Sequence, residues 1–265
     1  MKKLKGVILV GVIIIFLGGG YKLVQHEKMQ DELILQLQTE LNDIYNLRAD
    51  LKNINYLDTG INYLAIGNSI TKHKENEYWW DEHGMAASTK EKDYVHLIAA
   101  YLREEGEEVL FYTYNFYQWE VQSTDRAEML ELIDPYMNSE LDIITVQLGE
   151  NVTDTRTYYE DYKELINYIK RESPNAIIII IDDFWSDREK SVIKSRVAME
   201  TNVYFVDLSD IRGDEEYQCG IGTVVYDSEG IEHMVEHEGV ARHPGDKGME
   251  VIANRVIDIL KHSLF

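Results

Sequence analysis

Hydrophobic and polar positions divide this chain into three stretches of different period. From Gly6 to Tyr21 no residue is charged, and the centre reads VILVGVIIIFL. Backbone groups in lipid must satisfy one another, so such a run is expected to span as a helix. Crossing takes roughly 20 residues, which 6–24 nearly supplies if Lys22 reaches the interface. A cleaved signal segment is the other reading, with Gly18, Gly19 and Gly20 as a weak small-residue cluster. Residues 25–55 then lack Pro and Gly. There Leu33, Leu37, Leu41, Ile44, Leu47, Leu51 and Ile54 recur at spacings of three and four, one apolar stripe on a helix. The stripe suits packing on a globular domain, or a stalk that pairs with a second copy as a homodimer. A stalk is favoured, and the oligomer stays open.

From Ile61 the period changes again. Short apolar runs, expected as strands, are Ile61–Gly67, Glu108–Tyr114, Leu141–Leu148, Ala176–Ile181 and Val203–Leu208. Between and after them, helical spacing covers Asp93–Glu105, Ala127–Met137, Tyr158–Arg171, Asp187–Glu200 and Asp246–His262. Fully apolar strands alternating with helices imply a parallel sheet covered on both faces. The expected organisation is an anchor or signal segment over 1–24, a helical stalk over 25–57 and an α/β domain over 58–265.

Charge and cysteine use narrow the function. The chain has 265 residues, 26 Lys and Arg against 48 Asp and Glu, and a formal net charge of -22. That balance argues against a nucleic-acid-binding surface, which needs Lys and Arg for phosphate. One Cys, Cys219, excludes an intrachain disulfide and a multi-cysteine zinc site. Lys2, Lys3 and Lys5 stand ahead of the apolar run and no acid occurs in residues 1–24. Basic residues before a span place the N-terminus inside and the acidic body outside. The expected location is therefore the cell membrane, single-pass with an extracytoplasmic domain, or a secreted form if the segment is cleaved. His73, His83, His233 and His237 lack metal-ligand spacing, so neither metal nor cofactor is expected.

In sheets of this kind, sites form at the carboxyl ends of the strands. After the first strand comes Gly67-Asn68-Ser69-Ile70, after the third Gly149-Glu150-Asn151, and before the last helix His243-Pro244, with Gly248 beyond. In this order, and on these elements, the three blocks resemble those of the SGNH/GDSL hydrolase superfamily. The resemblance spans about Ile61–Leu260. It implies a flavodoxin-like three-layer α/β/α sandwich around a parallel sheet of about five strands. It also implies Ser69 as nucleophile, His243 as general base and Asn151 as oxyanion-hole donor beside the Ser69 backbone N–H. Those residue types suit acyl transfer. A Ser hydroxyl needs a neighbouring base, an imidazole can take and return the proton, and the tetrahedral intermediate needs fixed donors.

This chain departs from the family pattern in three places. Asn68 stands where Asp is commoner. Val240 stands three before His243, where Asp usually orients the ring; Glu238, or a backbone carbonyl in a Ser–His dyad, is expected to replace it. The second block's Gly is missing after the second strand, and Asn115 is the nearest polar candidate for the oxyanion hole. Trp79, Trp80 and Trp119 are candidate platforms for a sugar ring, with core packing as the alternative. The expected activity is hydrolysis of an acyl ester, O-acetyl above all, on a carbohydrate. The alternatives are an O-acyltransferase, a lipid esterase or thioesterase, and an inactive surface-binding module.

Overall fold

A computed structural model describes residues 54–122, 124–185 and 188–264. The expectations of a membrane segment and a stalk fall on residues 1–53 and lie outside the described residues. Among the described residues no helix is long and apolar enough to cross a membrane.

Five parallel strands form the central sheet. They are β1 (Ile61–Gly67), β2 (Val109–Asn115), β3 (Ile143–Gln147), β4 (Ile177–Ile181) and β5 (Tyr204–Val206), in the order β2-β1-β3-β4-β5. The apolar runs fold as strands because both of their faces are covered. All seven residues of β1 and all five of β3 are buried. Alternation splits them between two layers. Tyr63, Ala65, Ile143, Ile179 and Ile181 pack with α1 (Tyr94–Glu104) and the last helix, α6 (Asp246–Ser263). The other face receives α3 (Tyr158–Glu172), which buries Tyr158, Tyr162, Leu165, Ile166 and Ile169, and its neighbour α4 (Arg188–Thr201).

Most expected elements lie within one or two residues of the observed ones. Arg126–Tyr136 differs. It is a 3₁₀ stretch, where an α-helix over 127–137 was the expectation. Its buried side chains Leu130, Ile133 and Tyr136 recur every three residues, which is the 3₁₀ period. Pro135 also removes an N–H and disfavours α geometry in the residue before it. Three short elements had no periodic signal: α2 (Tyr117–Val121), a two-stranded antiparallel hairpin of β6 (Val224–Tyr226) and β7 (Glu232–Met234), and the four-residue α5 (Glu238–Ala241).

The strand order reverses direction between β1 and β3, and a crevice opens at the carboxyl ends of strands flanking such a switch point. Two glycines shape it. A Cβ on Gly67 would stand 1.9 Å from Thr71 Oγ1 and 2.9 Å from the Gln147 carbonyl oxygen. Gly149 has φ +139°, and a Cβ there would meet Asp183 Oδ1 at 2.4 Å. We expect Gly67→Ala to destabilise the domain by about 1–3 kcal/mol. Since each kcal/mol moves the midpoint about 2–4 °C in a domain this size, thermal unfolding should report a loss of several degrees. An unchanged midpoint would show that the turn after β1 can yield.

Candidate active site

The turn after β1 is built by its own asparagine. Asn68 Oδ1 accepts from the Ile70 N–H at 3.0 Å, and the Asn68 carbonyl accepts from the N–H groups of Thr71 and Lys72, each at 3.0 Å. Ser69, at the tip, is half-buried while Asn68, Ile70 and Thr71 are buried. Its backbone N–H donates to no acceptor among the described residues. The capping side chain of this turn is Asn68, so the Ser69 hydroxyl is left for another partner.

That partner is His243. Ser69 Oγ lies 2.7 Å from His243 Nε2, across 174 residues of sequence. The other ring nitrogen, Nδ1, lies 2.7 Å from the Gly239 carbonyl oxygen. A carbonyl only accepts, so Nδ1 carries the proton. Nε2 is then bare and accepts the Ser69 O–H. The backbone thus selects the tautomer in which a serine hydroxyl faces a base.

The carboxylate expected at this histidine is absent from the ring. Glu238 is exposed and makes no hydrogen bond to His243 among the described residues. The reason is local: α5 turns the Gly239 carbonyl under the imidazole, while Val240 faces inward and packs with Trp79, Met85, Val225 and Val235. The segment is pinned on both sides. Cys219 N–H donates to the His243 carbonyl at 2.9 Å, and Trp185 Nε1 donates to the Arg242 carbonyl at 2.9 Å. Trp185 also sets its ring edge-to-face with His243, centroids 4.8 Å apart. Sequence reasoning missed Trp185; its one signal was its place just past β4, at the sheet's carboxyl edge. The half-buried Cys219 thiol is pushed up by burial, away from reactive thiolate character.

Burial lowers the His243 pKa to about 4. The Gly239 hydrogen bond raises it in part, and neighbouring His73 and His237 lower it further. The imidazole therefore stays a neutral base throughout the near-neutral range.

Two of the sequence blocks meet on a residue that neither of them contains. Glu120, on α2, is 1% exposed. Its Oε1 accepts from Asn68 Nδ2 at 3.0 Å and from the Gly149 N–H at 2.5 Å, and its Oε2 accepts from Asn151 Nδ2 at 2.7 Å. Burial pushes its carboxyl pKa up, while the three donors pull it down. Buried Arg126 fastens α2 in place, donating to the carbonyls of Trp119 and Glu120 and to Asp161 Oδ2. Glu120 lies in a five-residue helix too short to show a period, and this hid it from sequence reading.

The loop after β3 is braced from behind as well. Lys190 Nζ, 4% exposed as a residue, donates to the carbonyls of Gly149 at 2.6 Å, Glu150 at 3.3 Å and Val152 at 3.4 Å. Lys194 and Asp183, both fully buried, pair at 2.6 Å. Asp182 is held by Arg212 and Ser191. The two acids after β4 are the anionic half of this brace.

The remaining candidates separate. Asn115 ends β2 beside Gly67, but its Nδ2 donates to the Lys72 carbonyl at 2.6 Å and its Oδ1 accepts from the Tyr117 N–H at 2.9 Å. Its side chain closes a backbone turn, with one amide N–H committed to it. Trp119 is fully buried against Tyr158, Tyr162 and Arg126, and Trp79 is 1% exposed. Trp119 is a core residue, and Trp79, almost wholly buried, borders the cavity that Trp80 lines. Trp80 is half-buried. It stacks on His233 with centroids 4.4 Å apart and lines a surface cavity of about 260 Å³ with Asn76, Asp227, Ser228 and Glu229. The segment carrying it returns to the site, where the Met85 N–H donates to the Ser69 carbonyl at 2.8 Å. Among the described residues no group of three or more His, Cys, Asp or Glu side chains is placed to hold a metal.

Solved structures share this arrangement of strands and helices. A family two carbohydrate esterase from Clostridium thermocellum superposes with a TM-score of 0.50 at 15% identity, over 79% of this chain and 65% of that one. The psychrotrophic esterase EstA from Pseudoalteromonas sp. gives 0.48 at 13% identity, over 77% and 98%. A two-domain esterase (CEX) active on acetylated mannans gives 0.46 at 15%, over 82% and 52%. This chain thus spans about half to two thirds of the two carbohydrate-active proteins, and at these identities the likeness is one of fold. No family model and no curated protein matches the sequence.

A ring-nitrogen NMR titration should find the His243 imidazole neutral down to about pH 5 and titrating near pH 4, well below an exposed histidine. Titration near 6.5 would mean that water reaches the ring and that its burial is incomplete.

Proposed function

We propose that this chain, which has the fold of the SGNH/GDSL hydrolase superfamily, is an ester hydrolase working through a Ser–His dyad. The observation that carries this reading is the chain of contacts from Ser69 Oγ to His243 Nε2 and from His243 Nδ1 to the Gly239 carbonyl, each at 2.7 Å. Ser69 Oγ attacks the ester carbonyl carbon as its proton passes to Nε2. The carbonyl oxygen becomes an oxyanion, for which the Ser69 backbone N–H and the second N–H of the Asn151 amide are the donors. Collapse breaks the ester C–O bond, and His243 returns the proton to the departing alcohol. Water, deprotonated by the same Nε2, then releases the acid and restores Ser69. The Gly239 carbonyl does the orienting that a carboxylate does in a triad, without adding a negative charge.

The substrate class proposed is an O-acyl, above all O-acetyl, carbohydrate. Trp80 supports it by supplying, beside the nearly buried Trp79, an aromatic surface in a cavity whose other lining groups can hydrogen-bond, a mixture that suits a sugar ring with its hydroxyls. The apolar run over 6–24 supports an anchored, outward-facing domain. If that reading holds, the full chain should leave membranes with detergent and stay behind in high salt; release by salt alone would remove the spanning segment.

A variant series tests the chemistry. Ser69→Ala should abolish hydrolysis of p-nitrophenyl acetate and labelling by a fluorophosphonate. Asn151→Ala should lower kcat about 10²–10³-fold with little change in KM, because its donor acts on charge present only in the transition state. Glu238→Gln should leave kcat within about twofold, since its side chain is exposed and off the ring. Trp80→Ala should raise KM for an acetylated oligosaccharide and leave p-nitrophenyl acetate unaffected. Wild-type turnover in pure Ser69→Ala protein would sink the mechanism, and equal Trp80→Ala effects on both substrates would sink the sugar assignment.

A further inference from the structure

The Asn68 departure and the buried acid of α2 have one explanation between them. Asn68 sits beside the nucleophile, where its family resemblance makes Asp the commoner residue. Its Nδ2 points at Glu120 Oε1, 3.0 Å away. An Asp in that position would set a second carboxylate against the first in a site with almost no solvent, since Asn68 is 0% and Glu120 1% exposed. Like charges at that distance cannot both stay ionised. Glu120 therefore requires a donor at residue 68, and an amide is the isosteric way to provide one.

The same carboxylate orders the other side of the crevice. Its three donors come from two separate pieces of chain: Asn68 in the turn after β1, and Gly149 and Asn151 in the loop after β3. All three contacts are hydrogen bonds to one acceptor, and no acceptor among the described residues is aimed at either oxygen. This geometry uses the ionised form, which is acceptor-only. One amide N–H of Asn151 is thus committed to Glu120, and that commitment fixes the plane in which the second N–H points.

We propose that Glu120 is a positioning residue of the oxyanion hole: it aims the Asn151 amide and the Gly149–Asn151 loop at the site where charge develops over Ser69, and it is the reason residue 68 is Asn. The assignment rests on the Ser69–His243 ester-hydrolase reading. Its selective effect should fall on the transition state, since the donor it aims makes its strongest contact with the oxyanion.

Kinetics on p-nitrophenyl acetate test it, with circular dichroism and thermal unfolding confirming that each variant folds. Glu120→Gln keeps shape but turns an amide N–H toward one of the donors. We expect kcat to fall about 10–100-fold with KM within about threefold. In an Asn151→Ala background the same change should cost less than about threefold more, because the group being aimed is gone. Asn68→Asp should lower kcat about tenfold or more. Adding Glu120→Gln to Asn68→Asp should recover activity severalfold, since the Gln Nε2 can donate to the new Asp. Should Glu120→Gln not fold, the Asn68→Asp variant at wild-type kcat would overturn the proposal, and a tenfold loss would support it. Multiplicative losses in Glu120→Gln/Asn151→Ala would overturn it, as would an Asn68→Asp/Glu120→Gln protein slower than Asn68→Asp. A wild-type protein that never turns over the ester overturns the hydrolase reading itself; an active wild type with multiplicative losses overturns only the role of Glu120.

Discussion

Polar groups at the carboxyl ends of buried parallel strands have to find their hydrogen bonds inside the protein, and this requirement organises the site. β1, β3 and β4 are covered on both faces, so the loops that leave them begin in a dry environment. The chain meets the demand with charged side chains of both signs. Glu120 takes the N–H groups on the front of the loop after β3, and Lys190 takes its carbonyls from behind. Asp183 and Lys194 neutralise each other one layer deeper, and Arg212 does the same for Asp182. A buried charge without its partner would be far more costly than the pair, so these residues hold one another in position. The glycines belong to the same arrangement, since a side chain on Gly149 would occupy the place of Asp183 Oδ1.

The histidine illustrates a different balance. In the proposed mechanism, a carboxylate at Nδ1 would raise the imidazole pKa and stabilise the imidazolium formed when Ser69 gives up its proton. The Gly239 carbonyl gives orientation and a partial negative charge, and burial then dominates and brings the pKa to about 4. The base is consequently always in its deprotonated form near neutrality, but it is a weaker base. In that mechanism, charge stabilisation shifts in importance toward the oxyanion side, where the proposed donors are. Trp185 stands edge-on to the ring and is part of the packing around it. The dyad and the buried environment are one device, in which neither half works as described without the other.

Strand and helix patterning made the fold legible because it records burial directly. Ile61–Gly67 is apolar throughout since helices cover both of its faces, and the Ile177–Ile181 run is read the same way. The order of the polar blocks pointed to the sheet's carboxyl edge for Ser69, Asn151 and His243, because loops at strand ends are where a parallel sheet can carry chemistry. What the linear sequence determined by itself was therefore which segments are interior and which polar residues leave the interior at one edge. The tertiary structure alone decided how those residues are partnered. Glu120 belongs to a helix of five residues with no measurable period, and its three donors lie 52, 29 and 31 residues away. Gly239 orients His243 through its backbone carbonyl, and every residue type has that group, so no side-chain pattern could announce it. Trp79 and Trp119 carry the same chemistry as Trp80 in sequence, yet only the folded chain buries Trp119 wholly in the core and leaves Trp80, with a little of Trp79, at a cavity wall. Hydrophobic burial is written into composition and spacing; hydrogen-bond partnership is a property of distance, and distance exists only once the chain has folded.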